Sequence, residues 1–249
     1  MTASFDYDWG VRTGGKLDRA QKRALVGPLL RTVADYSGDR VRLALGRRGT
    51  GRIDLDDLKV PDSRLARDAE EEAREGLSPT FLHHSYRCYL FGRALAQIEG
   101  VAVDDEVAYV ACLLHEFGLE QATPGRCFAV VGAERAERFA LDRDVEPARA
   151  RRLGAEINGH LNLGQGRDMA SDGGFLSAGA MVDVFGLRLD ELDPGWVDQV
   201  LARHPRHDFK RYGIAQFRAE GRTNRDSRSA WLNRYAMVPI LWRIAPFTG

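Results

Sequence analysis

From residue 61 onward, helix-starting signals follow one another at short intervals, and nothing competes with them to start a sheet. Pro61-Asp62-Ser63 precedes "RLARDAEEEARE", and Ser78-Pro79 precedes a long, largely apolar stretch. A serine at that place can accept a backbone N–H of the first turn. Proline at the first helical position loses nothing, because its missing N–H would have no partner there. Asp104-Asp105, Pro147 and Asp193-Pro194 repeat the signal, the aspartates adding a charge suited to a helix N-terminus. Val107, Val110, Ala111 and Leu114 then fall at i, i+3, i+4 and i+7, one face of a 3.6-residue period. No alternating strand pairs flank an Asn-Gly or Asp-Gly turn. The expected fold class is all-α, with a helical domain over residues 57–249 behind a less regular N-terminal segment, residues 1–56.

In that first segment, "RTGGK" and "GRRGTGR" interrupt the pattern. A helix is expected from Leu17 to about Tyr36, and a short strand over "DRVRLAL", residues 39–45. The role of the segment, lid or dimer contact, stays open. Gly118 is expected to end the Val107 helix. "GAERAERFALDR", "EPARARRLGAEINGHLNL" and "DFKRYGIAQFRAEGR" read as further helices, the last of them closing the helical part before a tail around "PILWRIAPF".

A chain of 249 residues can bury a core without covalent staples, and three cysteines, an odd number, do not make a disulfide framework. Cys88 and Cys112 read as packed thiols. The 36 acidic and 36 basic residues balance, so no electrostatic footprint for nucleic acid or a membrane surface stands out. The arginines of 40–52 and 222–234 read as solvated loops. The N-terminus "MTASFDYDWG" has neither a basic nor an apolar leader region. A cytoplasmic protein with a small-molecule substrate is expected, without nucleic-acid or membrane partners; a homo-oligomer is left open.

Four positions carry the candidate chemistry. His84 lies in "LHHSYRCYLFG", His115 and Glu116 are adjacent, and Asp183 sits inside the apolar run "SAGAMVDVFG". A carboxylate among apolar residues is costly to bury unless something positive compensates it. A divalent metal would do so, and so would an arginine. Two imidazoles and two carboxylates suit zinc first, with iron, manganese or nickel as alternatives. Arg87 is one helical turn from His84 and shares its face. His83 reads as structural, and His204 and His207 as surface groups.

These residues resemble the HD-domain superfamily. "H-S-x-R-x-Y-x-F-G" (His84, Ser85, Arg87, Tyr89, Phe91, Gly92) resembles its first motif, in the form found in the cyanamide hydratase-like branch. "LLHEFGL" resembles the second motif, "FAVVGAERAERFA" a Phe-x-x-x-Gly-Ala segment, and "AGAMVDVFG" the segment ending in the last metal aspartate. "EINGHLNL" places His160 where the family has a histidine after a helix, and "HPRHDFKR" resembles its Pro-Arg-x-x-Phe-Lys. The likeness runs from about Val60 to Arg211. It implies a helical HD fold and a metal held by His84, His115, Glu116 and Asp183, with His160 as extra ligand or proton carrier. It also implies an enzyme that activates water for hydration or hydrolysis of a small polar molecule, with Glu116, His160 and Arg87 at the chemistry. A nucleotide phosphohydrolase is the alternative enzyme.

One departure matters. The family has aspartate where this chain has Glu116, which moves the carboxylate out by about 1.5 Å, whereas metal–oxygen distances tolerate only about 0.2 Å. Either the backbone adjusts, or Glu116 binds through a water, or the site has lost its metal and the fold binds a ligand or partner without turnover.

Overall fold

The computed structural model describes residues 5–248, and among them all regular structure is helical. The N-terminal segment holds α1 (Tyr7–Thr13), α2 (Arg19–Ala24) and α3 (Val26–Ala44). The bundle follows with α4 (Arg64–Gly76), α5 (Pro79–Glu99), α6 (Asp105–Leu114), α7 (Phe117–Glu120), α8 (Phe128–Leu141) and α9 (Pro147–Gly159). It continues through α10 (Gly174–Phe185), α11 (Pro194–Arg203), α12 (Phe209–Thr223), α13 (Arg228–Tyr235) and α14 (Val238–Arg243).

The caps sit where the sequence puts them. Ser63, Ser78, Asp104, Glu146 and Asp193 each accept the backbone N–H three residues on. Pro79, Pro147 and Pro194 open their helices. Helix α5 is the axis of the bundle, buried over most of its length, with α10 lying along it. Helix α8 packs along α9, and α6 is held among α4, α5 and α9.

Four local expectations are corrected. The helix from Leu17 to Tyr36 is interrupted at Leu25, because Pro28 has no N–H to give the carbonyl of Ala24. The strand over residues 39–45 is instead the end of α3. Helical spacing lets Asp39 accept from the Arg188 N–H at 2.8 Å while Arg42 pairs with Asp190. Helix α6 ends at Leu114, short of Gly118. That glycine serves a close approach, since a Cβ there would fall 2.1 Å from the Phe128 carbonyl oxygen. Finally, α12 is followed by α13 and α14, so the tail is largely helical.

The N-terminal segment is tied to the bundle. The Tyr7 hydroxyl donates to Glu137 at 2.6 Å, and Gly51 exchanges backbone hydrogen bonds with Glu191 and Asp193. Among the described residues, no helix is long and apolar enough to cross a membrane.

Candidate functional site

Helices α5 and α10 approach closely enough to touch backbone to backbone. Gly179 permits this, because a Cβ there would fall 2.0 Å from the Cys88 carbonyl oxygen. One turn beyond Gly179, Asp183 therefore meets His84 and Arg87 on α5. Its carboxylate is fully buried and fully engaged. Oδ1 accepts from Arg87 Nε at 2.8 Å and from Arg206, while Oδ2 accepts from Arg87 Nη2 at 2.9 Å and faces His84 Nδ1 at 2.7 Å. The remaining Arg87 nitrogen donates to the His204 and Pro205 carbonyls at 3.0 and 2.9 Å. Burial alone would raise the Asp183 carboxyl, but Arg206, Arg87 and His84 outweigh it and hold the group well below the usual carboxylate range.

On the other side of the His84 ring the situation reverses. Its Nε2 lies 3.4 Å from Glu116 Oε1, and His115 Nε2 lies 3.2 Å from the same oxygen. His115 is fixed from behind by Nδ1, which donates to the Cys112 carbonyl at 2.8 Å. That leaves its Nε2 buried with no hydrogen-bond partner, and Glu116 Oε2 is equally unpartnered. Burial would raise the Glu116 carboxyl, yet His115 and His84 beside it pull it well below its ordinary range. His84 is pushed down by burial and raised more strongly by Asp183 and Glu116, so its net shift is upward.

The donor set suits a divalent cation. With bonds of about 2.0–2.1 Å, tetrahedral ligand atoms stand about 3.3 Å apart, which is how far Glu116 Oε1 stands from each imidazole nitrogen. The longer glutamate therefore does not overshoot; it reaches between the two rings. The Asp183–His84 contact fixes the tautomer, with Nδ1 donating and Nε2 left without a proton, an arrangement that would suit a metal ligand. Asp183 itself offers no free oxygen toward this point.

His160, the C-cap of α9, stands edge-on to His115 at 5.3 Å between ring centroids. Its Nδ1 donates to the Ile157 carbonyl. Burial and the neighbouring His115 push its pKa down to about 3, so it is neutral at ordinary pH. His84, His115, Glu116 and His160 together line the inner part of a cavity of about 140 Å³. Arg87 and Asp183 do not line it.

Three residues at this site carry no role in the sequence analysis above. Cys88 Sγ lies 3.4 Å from His84 Nε2, and its ligand atom falls within 4.8 Å of nitrogens of both His84 and His115. Its spacing of four from His84 is the signal that marks it. Burial, then Cys112 and Asp183, raise its thiol far above the ordinary range, so it is protonated. Arg206, the arginine of the Pro-Arg segment, is the second cation on Asp183. Phe209 stacks on the His84 ring at 4.5 Å. The remaining three of the six histidines form a separate cluster, His83 lying 5.7 Å from His204 and 5.2 Å from His207 between ring centroids. His207 is exposed as expected, whereas His204 is half-buried.

No curated protein matches the chain. The family model of the HD domain matches residues 81–193, a span that contains His84, His115, Glu116, His160 and Asp183. The all-helical architecture of the described residues is consistent with an HD-domain bundle over that span.

Proposed function

We propose that this protein is a metal-dependent enzyme that adds water to an unsaturated carbon centre, by hydration of a nitrile-like C≡N or hydrolysis of an amide. The observation that carries the reading is the meeting of His84 Nε2, His115 Nε2 and Glu116 at the inner end of a cavity, two of the atoms there being buried and unpartnered. An unpaired buried polar atom is costly, and two around one point are best explained by a cation, zinc first. Held by His84, His115 and Glu116, such a cation would lower the pKa of a bound water toward neutral and would polarise an electrophile.

The chain's own groups do the rest. His84 and His115 present Nε2 because Asp183 and the Cys112 carbonyl hold the opposite nitrogen of each ring. Glu116 reaches both rings with Oε1, which leaves Oε2 able to accept a proton from the attacking water. His160 keeps one acceptor nitrogen at neutral pH, and its low pKa means that a proton taken up is readily passed on to the product. In this reading Asp183 positions His84, and Arg87 serves Asp183. A fourth direct bond from Asp183 requires release of one of its arginines. The wall residues contributed by α3, Leu29, Val33 and Tyr36, make the N-terminal segment part of the site.

A phosphohydrolase finds less support. Phosphate calls for uncommitted cations near the metal, and neither Arg87 nor Arg206, both paired with Asp183, lines the cavity.

The test is metal analysis of untagged protein after supplementation with zinc, iron, manganese and nickel in turn. One metal per chain, lost in His115→Ala, is expected. No metal under any supplementation would overturn the reading in favour of a binding protein without turnover.

A further inference from the structure

Beyond its inner end, the cavity is apolar. Its walls come from α3, α10 and α14, with Leu29, Val33, Met181, Val184, Leu241 and Trp242 among them. The charged groups along it are already paired with one another. Arg167 lies 3.1 Å from Asp39 and 3.8 Å from Asp35, and Arg188 lies 2.7 Å from both Glu99 and Glu191. An anionic substrate would find no free cation here, and a strongly hydrated one would give up its water for alkyl walls.

Size points the same way. A dry apolar cavity of about 150 Å³ accepts a molecule the size of benzene, and this one measures about 140 Å³. A reacting group of three heavy atoms, such as cyanamide, would leave most of it empty.

We propose that the substrate is an uncharged amide or nitrile bearing an apolar body of about six carbons, aryl or short alkyl, seated between α3, α10 and α14 while its polar head faces His84, His115, Glu116 and His160. This rests on the water-adding reading of the same site, which it narrows. In hydrolysis, water adds to the carbonyl carbon, the C–N bond breaks, and a carboxylic acid and an amine leave. In hydration, water adds across C≡N and an amide leaves. Neither needs an oxidant or a second substrate.

The experiment has two arms on the zinc-supplemented full chain. The first measures binding by calorimetry, with and without chelator, of straight-chain amides from acetamide to octanamide and of benzamide. The second measures kcat/KM for these amides, the matching nitriles, cyanamide and a nucleoside monophosphate. Each added methylene should tighten binding about fourfold until about six carbons, then cease to help. Val33→Phe, placed on the half-exposed outer wall, should shorten the optimum.

Tightening along the series without turnover of any compound would sustain the apolar seat and overturn the enzymatic reading. Turnover of cyanamide or the nucleotide, with no gain along the series, would sustain the enzyme and overturn the inference. If the amides neither bind nor react, the inference likewise fails.

Discussion

The two sides of the His84 ring are built on opposite principles. Toward α10, both oxygens of Asp183 and all three side-chain nitrogens of Arg87 have partners, in a buried cluster that Arg206 joins through Nη1, its Nε and Nη2 being left without one, and that ends on the His204 and Pro205 carbonyls. Toward the cavity, His115 Nε2 and Glu116 Oε2 have none. A buried ion cluster of the first kind fixes geometry at a considerable desolvation cost and becomes a liability when one member is removed. A cluster of the second kind is costly as it stands and becomes favourable only with a ligand. The saturated side therefore holds His84 in place, and the unsaturated side is where chemistry is expected.

The largest effect should come from breaking the saturated side. Arg87→Ala leaves Asp183 with a single guanidinium and should cost about 3–5 kcal/mol in denaturant unfolding. His115→Gln on the other side removes an unpartnered nitrogen at nearly constant volume. It should change the stability of the metal-free protein by less than about 1 kcal/mol. Equal losses from the two variants would erase the distinction.

A smaller effect tests the reach of Glu116. Glu116→Asp retracts the carboxylate from its place between the rings and should weaken metal binding at least tenfold, about 1.4 kcal/mol, measured by competition with a chromogenic chelator. Tighter binding by the aspartate variant would show that the backbone, not the side-chain length, sets the site.

The smallest effect concerns the outer edge of the saturated side. Burial, with His83, Arg203 and Arg87 nearby, lowers the His204 pKa to about 4. Its unfolded value is about 6.5, so between these the unfolded chain binds more protons than the folded one. The contribution is whole above pH 6.5 and is lost as the pH falls toward 4. Partial exposure keeps the loss to about 1 kcal/mol or less. In His204→Phe the acid slope of stability should flatten by that amount, as read from melts between pH 7 and 4.

Much of the frame was legible because capping is local. Ser78-Pro79, Asp104 and Asp193-Pro194 each announce a helix through atoms three residues apart, and the structure places a cap at each. Pro28 breaks a helix by an equally local rule, yet the apolar pattern around it masks the break. The strand reading of residues 39–45 failed for a non-local reason: Asp39 and Arg42 are committed to the 186–191 turn, which lies far along the chain. At the site, the motifs mark His84, His115, Glu116, His160 and Asp183, and the fold sets Asp183 on one side of the His84 ring, His115 and Glu116 on the other, and His160 against His115. Which side each takes was not legible. It depends on Gly179 admitting α10 against Cys88, and on Arg206 arriving from the loop before α12 to claim Asp183.

The most direct measurement is an anomalous difference map from crystals of the zinc-loaded protein. One peak is expected about 2.0–2.1 Å from His84 Nε2, His115 Nε2 and a Glu116 oxygen, with Asp183 still held by Arg87 and Arg206. A peak bonded to Asp183 with Glu116 turned away, or no peak between the two rings at full zinc occupancy elsewhere, would contradict it.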